Sequence, residues 1–195
     1  MSRNQRFQIA LEMIDSANSN DPNRVIVDDQ SCPSGLIYGQ RMSETLEKFE
    51  PNASEALRLA ARAQHIERWS IPREEYPMNR RGYLRWRNEL KKFHASRADE
   101  ILGEAGYKRE TIDRVKSLLM KRDLKSDPES QTLEDVVCLV FMEHYFEDFS
   151  CEHSDDKIVS ILKKTWRKMS KKGQNAALDL NLSDRSVILI KQALE

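Results

Sequence analysis

The sequence predicts an all-α fold, a single helical domain over residues 1–195 built from about seven helices. Apolar residues recur at helical spacing along most of the chain, and no segment has the alternating pattern of a strong strand. Glycine and proline number only six each, too few for the many turns of a β-sandwich or barrel. With 195 residues, the chain is long enough to bury one sizeable hydrophobic core.

Three helices are expected in the first third of the chain. The second should stop before Pro51, because a proline disfavours a helical residue ahead of it. Asn52 with Glu55 three residues later fits a capping box, which predicts that a third helix begins there and continues through Arg68. A polar loop joins the first two helices and contains a short extended piece at residues 25–27. The predicted helices cover residues 5–18, 37–49 and 52–68.

Five more helical segments follow a proline-bounded loop at residues 72–77. The first of them is long and carries a clear apolar stripe, which should face the core. The segment from Leu133 to Phe149 has hardly any polar face and is therefore expected to be the buried centre of the bundle. The next helix should end at Gly173. The predicted bounds are 82–105, 111–121, 133–149, 154–173 and 183–194.

The bulk properties favour a cytoplasmic protein. The first twenty residues are charged from Arg3 onward and lack the apolar stretch of a secretory signal. No apolar run approaches the ~20 residues that a membrane helix needs, so no membrane partner is expected. The three cysteines, Cys32, Cys138 and Cys151, are an odd number at wide spacings, which favours neither a disulfide scaffold nor a four-thiolate zinc site.

The segment from residue 62 to residue 97 is strongly cationic. It contains ten basic and four acidic residues, although the whole chain has a net charge of zero. Arginine predominates and aromatic residues flank it, a composition that suits phosphate or carboxylate recognition, although a solvated face is the alternative. The zero net charge and the absence of a recognition-helix pattern disfavour nucleic acid. The side chains expected to bind a small anionic molecule are Arg68, Arg73, Arg81, Arg87 and Lys121.

Four residues are candidates for chemistry. His65 lies on an apolar stripe and is either a core histidine or a metal ligand or general base. His94 is either a boundary histidine or the partner of His65 across the junction of the third and fourth helices. Asp135 either caps its own helix or gives its carboxylate to a metal or a histidine. Glu67 lies about 200° from His65 around a regular helix, so the two share a site only if that helix frays.

Two short segments resemble the signatures of class I aminoacyl-tRNA synthetases, Gln-His-Ile-Glu at 64–67 and Lys-Met-Ser-Lys-Lys at 168–172. In those enzymes the first signature opens a helix after a strand of a parallel sheet. Here no βαβ pattern surrounds it, and Glu67 replaces the glycine that lets the nucleotide approach. Synthetase activity is therefore not predicted.

Five segments together resemble one protein family, the domain-of-unknown-function family numbered 4202, which occurs in bacteria and fungi. The similarity covers nearly the whole chain. The segments are Leu-Ile-Tyr-Gly-Gln-Arg-Met (36–42), Gln-His-Ile-Glu-Arg-Trp (64–69), Pro-Arg-Glu-Glu-Tyr-Pro-Met (72–78), Gly-Tyr-Leu-Arg-Trp-Arg (82–87) and Leu-Glu-Asp-Val-Val-Cys-Leu-Val-Phe (133–141).

More remotely, the layout resembles the HD superfamily of metal-dependent phosphohydrolases, helical bundles in which histidine and aspartate side chains hold a metal. On this comparison His65 falls near the dyad helix, His94 near an additional histidine and Asp135 near the final aspartate. Tyr38 or Gln40 stands where the first histidine of that superfamily is expected, and the dyad aspartate is replaced by an isoleucine.

The resemblance implies an HD-like hydrolase of a small phosphorylated or nucleotide-like substrate. His65, Glu67 and His94 would carry the catalysis. Either His65, His94 and Asp135 hold one divalent metal ion (Mn, Co, Ni, Fe or Zn) that activates water, or they act as base and orienter without a metal. In both cases the cations would neutralise phosphate charge. The alternative is a non-catalytic module that binds an anionic ligand or a partner protein through its arginine-rich pocket. Neither reading specifies the oligomeric state.

Overall fold

The structure is a computed structural model that describes residues 2–124 and 126–195. Within these residues the fold is mostly helical, as predicted, with ten α-helices, one two-stranded hairpin and two short 3-10 turns. The helices are α1 Arg3–Asn18, α2 Ser34–Phe49, α3 Glu55–Arg62, α4 Arg80–Glu104, α5 Arg109–Leu119, α6 Pro128–His144, α7 Phe146–Cys151, α8 Asp155–Trp166, α9 Lys171–Leu178 and α10 Asp184–Leu194. The strands are β1 Arg24–Val27 and β2 Gln30–Pro33, and the 3-10 turns are Arg68–Ser70 and Arg73–Glu75.

The extended piece expected at residues 25–27 is the first strand of an antiparallel hairpin. Strands β1 and β2 pair with Val27 opposite Gln30. The two residues between them, Asp28 and Asp29, have φ angles of 49° and 61°. Left-handed backbone at both central positions matches the twist of a tight hairpin, and aspartate tolerates it better than most residues do. The loop expected between α1 and α2 is therefore partly a hairpin.

Helix α3 is shorter than predicted. Its N-cap is Ser54, whose Oγ accepts a hydrogen bond from the N–H of Leu57 at 3.1 Å. The helix ends at Arg62, and the expectation that it continues through Arg68 is wrong. Glu67 has a left-handed φ of 48°, and its N–H donates to Asn18 Oδ1 at 3.0 Å. This long-range hydrogen bond holds residues 63–67 in turns, which carry the following segment away from the helix axis.

Helix α6 is the buried centre of the fold, as predicted from its apolar composition. It begins earlier than expected, because Asp127 accepts a hydrogen bond from the N–H of Glu129 and Pro128 occupies the first turn. Val136 and Val140 of α6 pack into a core formed with α1–α5. Leu139 enters a second core formed with α7–α10. Neither α6 nor any other described helix is both long and apolar enough to cross a membrane.

The seventh predicted helix is two helices in the structure. Helix α8 ends at Trp166, and Ser170 caps α9 by accepting a hydrogen bond from the N–H of Gly173 at 3.0 Å. The expectation that one helix continues to Gly173 is therefore wrong, because the serine side chain satisfies a free N–H at the start of a new helix. Helix α6 also does not reach Phe149, because Tyr145 has a φ of −130° and separates it from α7.

Candidate functional site: a cationic cavity

A cavity of about 1340 Å³ lies between α4, α6 and the segment that follows α3. Residues from α2, the hairpin region and α8 complete its walls. The lining residues Arg80, Tyr83 and Leu84 are exposed and mark its mouth. His94, Glu134 and Gln64 also line it, but these side chains are buried and form its interior. The cavity thus runs from the surface toward the centre of the fold.

One face of α4 forms a continuous wall of this cavity. Five of its lining residues are spaced three or four positions apart, which places them on one side of a helix. At 1.5 Å per residue, the face from the first to the last is roughly 20 Å long. These residues are Arg80, Tyr83, Arg87, Lys91 and His94.

Positive charge predominates along the walls. Eight lysine and arginine side chains line the cavity, against three carboxylates. Two of the carboxylates already have partners: Asp21 accepts hydrogen bonds from Asn23 and Gly35, and Glu134 is paired with lysine. The eight cations are Arg68, Arg73, Arg80, Arg87, Lys91, Lys121, Lys164 and Lys168. The walls of the cavity therefore carry a surplus of positive charge.

Arg68 stands out because its half-buried charge is not neutralised within the described structure. Its guanidinium lies 4.6 Å from the ring centre of Trp86, and the indole N–H of Trp86 donates to the carbonyl of Ile71 at 2.9 Å. No carboxylate among residues 2–124 and 126–195 forms an ion pair with Arg68 or Arg87. Burial lowers the pKa of Arg68, although a guanidinium stays charged in proteins.

Two lysines contact the buried carboxylate of Glu134, and a third lines the same cavity. Lys121 forms an ion pair with it, and Lys168 Nζ lies 3.8 Å from its Oε1. Lys91 is half-buried and forms no ion pair with the described carboxylates, and its pKa is lowered by burial and by the charges of Lys121 and Arg87. This part of the cavity wall therefore contains one acid and three ammonium groups.

His65 and His94 meet inside the cavity, with ring centres 5.8 Å apart. His65 also stacks on Tyr38, with ring centres 4.3 Å apart and an angle of 18° between the planes. Burial lowers the pKa of His94 to about 4. Burial, followed by the charge of Arg68, lowers the pKa of His65 well below its ordinary value. Both imidazoles are therefore neutral at neutral pH.

The tautomer of His94 follows from its hydrogen bond. Its Nδ1 lies 2.7 Å from the carbonyl oxygen of Ile66, and because a carbonyl only accepts, Nδ1 carries the proton. Nε2 is then an unprotonated acceptor, buried and without a partner in the described structure. The Oε1 of Gln64, next to His65 in the chain, is likewise buried and unpartnered. A ligand or water with hydrogen-bond donors would satisfy both atoms.

Asp135 does not join the two histidines. Its carboxylate accepts hydrogen bonds from the N–H of Ser170 at 2.8 Å, from the Oγ of Ser170 at 2.5 Å and from Nε2 of Gln131 at 3.0 Å. It does not line the cavity; its neighbour Glu134 does. Asp135 also does not cap its own helix, since α6 begins at Pro128. Its role in the structure is to hold the start of α9.

Two further predicted site residues lie outside the cavity walls. The carboxylate of Glu67 pairs with Arg97, so the expected catalytic role has no support in the geometry. Arg81 is exposed and does not line the cavity, whereas its neighbour Arg80 does. Arg73 lines the cavity but also donates to two carbonyls of its own loop, those of Tyr76 and Pro77, at 2.9 Å each. Arg68, Arg87 and Lys121 line the cavity as well.

The predicted metal ligands do not form a three-ligand set. His65 and His94 are close, but the third side chain, Asp135, is engaged with Ser170 and Gln131. Within residues 2–124 and 126–195, no three His, Cys, Asp or Glu side chains are grouped as a metal site. The residues present therefore do not fit the expected three-ligand centre.

Sequence reasoning missed several cavity residues. Lys91 follows Arg87 by four positions and precedes His94 by three, so the helical spacing contained the signal. Glu134 precedes the predicted site residue Asp135, but one position along a helix turns the side chain by about 100°, and Glu134 rather than Asp135 lines the cavity. Gln64 lines the cavity together with its neighbour His65. Lys168 is far along the chain from the cationic segment 62–97, and no local pattern indicates that it lines the same cavity.

A family model described as "Domain of unknown function (DUF4202)" matches residues 8–190. The match includes the histidine pair, the cationic face of α4 and the lysines around Glu134. No curated protein and no solved structure matches the chain.

Proposed function

The chain belongs to the DUF4202 family, and we propose that it binds a small phosphorylated molecule in the cationic cavity. The observation that carries this proposal is the pair of half-buried guanidinium groups of Arg68 and Arg87, which form no ion pair with the described carboxylates. A charge taken partly out of water is costly unless an opposite charge accompanies it. A bound anion would provide that charge.

Phosphate suits these groups better than a simple monovalent anion. A guanidinium is planar and donates two parallel hydrogen bonds to a phosphate, which gives orientation as well as attraction. The surrounding lysines add positive charge, and an ammonium group does not require a fixed hydrogen-bond geometry. Five of the cations are half-buried in the cavity walls, which suits a small molecule better than a nucleic-acid duplex. They are Arg68, Arg73, Arg87, Lys91 and Lys121.

Removing one cavity arginine tests this proposal. In Arg68→Gln, we expect the affinity for pyrophosphate, measured by calorimetric titration, to fall by roughly tenfold or more, as for the loss of a charge-assisted hydrogen-bonded pair. The matched control is Arg81→Gln, which removes the same charge 13 positions along the chain at an exposed site outside the cavity. Its affinity should stay within about twofold of the parent.

If Arg68→Gln and Arg81→Gln lost equal amounts of pyrophosphate affinity, the affinity would depend only on the overall charge of the protein. That result would contradict binding in the cavity. Circular dichroism and the thermal midpoint of each variant show whether the fold is intact. Arg68→Lys is the second variant: it retains the charge but loses the planar fork, so its affinity should fall between those of the parent and Arg68→Gln.

Hydrolysis of the bound molecule is a second candidate function, favoured by the unpartnered Nε2 of His94. An unprotonated imidazole nitrogen in a cavity is suited to take a proton from an attacking water. His65, at a ring-centre distance of 5.8 Å, would orient that water. This would make the protein a hydrolase whose histidines resemble part of an HD-like site, with catalysis by acid–base groups and cations.

Replacing His94 distinguishes hydrolysis from binding alone. In a panel of phosphate esters and nucleotides, we expect His94→Gln to lower turnover by ~100-fold or more while it retains ligand affinity, since general bases contribute 10²–10⁴-fold. The control is His153→Gln, because His153 does not line the cavity. If the parent protein converts no member of the panel that it binds, the hydrolytic candidate falls and the binding proposal stands.

A further inference from the structure

The cations of the cavity fall into two sets with different surroundings. The first, called the arginine set, consists of Arg68 and Arg73, whose guanidinium groups lie 4.6 and 5.8 Å from the ring centre of Trp86. The second, called the lysine set, consists of Lys121 and Lys168, which contact Glu134, and of Lys91, which lines the same cavity near them. Each set is therefore a local concentration of positive charge: the first lies against the ring of Trp86 and the second lies near the carboxylate of Glu134.

The two sets lie at different levels of α4. The arginine set packs on Trp86 and on Tyr83, whose ring centre is 5.9 Å from the guanidinium of Arg73. The lysine set includes Lys91 of the same helix. At 1.5 Å per residue, the five to eight positions from these rings to Lys91 correspond to roughly 8 to 12 Å along the axis. The guanidinium of Arg87 lies 5.7 Å from the ring centre of Tyr83 as well, so Arg87 adjoins the arginine set.

Neither set is neutralised by the side chains that surround it. Within the described structure the arginine set has no ion-paired carboxylate, and the lysine set contains one carboxylate for three ammonium groups. The surplus of the lysine set is about two positive charges, close to the −1.5 to −2 carried by a phosphate monoester group at neutral pH. Each set therefore has enough unbalanced charge for one phosphate-sized anion.

The cavity is also larger than one phosphate requires. Its volume of about 1340 Å³ exceeds the ~300–1,000 Å³ typical of pockets that hold a drug-sized ligand. His65 lies within electrostatic reach of both sets, because Arg68 from one and Lys121 from the other both contribute to the lowering of its pKa. An extended ligand that reached both sets would thus pass close to the histidine pair.

We propose that the cavity takes a ligand with two separated anionic groups, one on the arginine set and one on the lysine set. This inference rests on the proposed function and specifies its substrate class: a bisphosphorylated small molecule or a similarly extended polyphosphate. The linking part lies beside His65 and His94. A ligand with a single phosphate occupies one set and leaves the other unbalanced.

The test compares two ligands that differ by one phosphate, fructose 6-phosphate and fructose 1,6-bisphosphate, in calorimetric titrations. The parent protein should bind the bisphosphate at least about tenfold more tightly, because the second group binds at a high effective concentration. In Arg68→Gln and in Lys91→Gln, this preference should shrink to about threefold or less, since each variant removes one end of the site. Arg81→Gln should keep the full preference.

An unchanged preference in both Arg68→Gln and Lys91→Gln, with affinities for both ligands reduced in parallel, would overturn the two-set model and leave anion binding intact. A parent protein that binds the monophosphate as tightly as the bisphosphate would overturn it as well. If neither sugar phosphate nor pyrophosphate binds at all, the proposed function itself fails. Thermal midpoints of the variants establish that the fold is retained in each comparison.

Discussion

His94 is fixed in one tautomer by the carbonyl of Ile66, and this hydrogen bond decides what its other nitrogen can do. With the proton on Nδ1, Nε2 has a free lone pair in a buried position. Protonating Nε2 would place a positive charge in an apolar environment that already contains Arg68, which is why the pKa of His94 falls to about 4. The imidazole therefore stays neutral, with Nε2 unprotonated, over the physiological pH range.

The same shift predicts how stability depends on pH. An unfolded histidine titrates near ~6.5, whereas the pKa of folded His94 is about 4. Between these values the unfolded state binds more protons, so stability falls as pH is lowered through this window. We expect the free energy of unfolding to fall by about 2 kcal/mol from pH 7 to pH 5 on account of His94. His65, whose pKa is also lowered, adds to the loss.

Urea titrations at the two pH values, on the parent and on His94→Gln, measure this contribution. The variant should show a clearly smaller loss, since glutamine does not titrate. The carboxylate of Asp127, whose pKa is lowered to about 2, loses its stabilising effect only at lower pH and does not disturb the comparison. An identical loss in parent and variant would show that His94 is not buried in its neutral form.

At the scale of residues, the sequence predicted which side chains lie near the site better than it predicted their hydrogen-bond partners. The apolar stripes placed His65 and His94 on facing segments, and the structure brings their rings together. The carboxylates of Glu67 and Asp135 find partners 30 and 35 residues away along the chain, Arg97 and Ser170. Such pairing depends on how the helices pack, and no local pattern shows it.

At the scale of elements, the junction of α6 and α9 shows how a predicted site residue serves the fold instead. Asp135 accepts two hydrogen bonds from Ser170, and Gly173 in the first turn of α9 packs directly on it. A Cβ at position 173 would lie 2.6 Å from Cγ of Asp135, closer than atoms in proteins approach. Glycine is required here for a close approach rather than to end a helix.

Gly173→Ala should therefore destabilise the protein by about 1–3 kcal/mol, the usual cost of overpacking. The matched control is Gly103→Ala in α4, where a Cβ would meet nothing within 4 Å. There, alanine should leave stability unchanged or raise it by up to about 1 kcal/mol through its better helix propensity. Chemical unfolding measures both. Equal behaviour of the two variants would mean that α9 can move away from α6 at little cost.

Helices and their ends could be predicted where the local sequence pattern determines them. They could not be predicted where contacts with distant residues set the boundary. The apolar composition of α6 identified the buried centre, and the long stripe of α4 identified its helix. The end of α3 was missed, because Asn18 of α1 fixes the left-handed backbone of Glu67. The boundary between α8 and α9 is not visible in the local pattern, because it depends on Ser170, which caps α9 and contacts Asp135 of α6.

Over the whole molecule, positive charge is unevenly distributed along the chain, and this uneven distribution is the feature of the sequence that leads to the site. The chain has no net charge, yet the segment 62–97 has a surplus of positive residues. In the fold, several of these residues point into one cavity. Lys121 and Lys168, from other parts of the chain, join them there. Composition located the cationic segment, but only the fold shows that α4, α6 and α8 form walls of one enclosed space.

The central claim is that an anion binds inside the cavity between Arg68 and Arg87. Crystals soaked in tungstate, a tetrahedral anion that resembles phosphate and scatters anomalously, would locate it directly. We predict the strongest anomalous peak within hydrogen-bond distance of the Arg68 and Arg87 guanidinium groups, displaced by added phosphate. Peaks confined to exposed arginines such as Arg81, with the cavity empty at full soaking, would contradict the account.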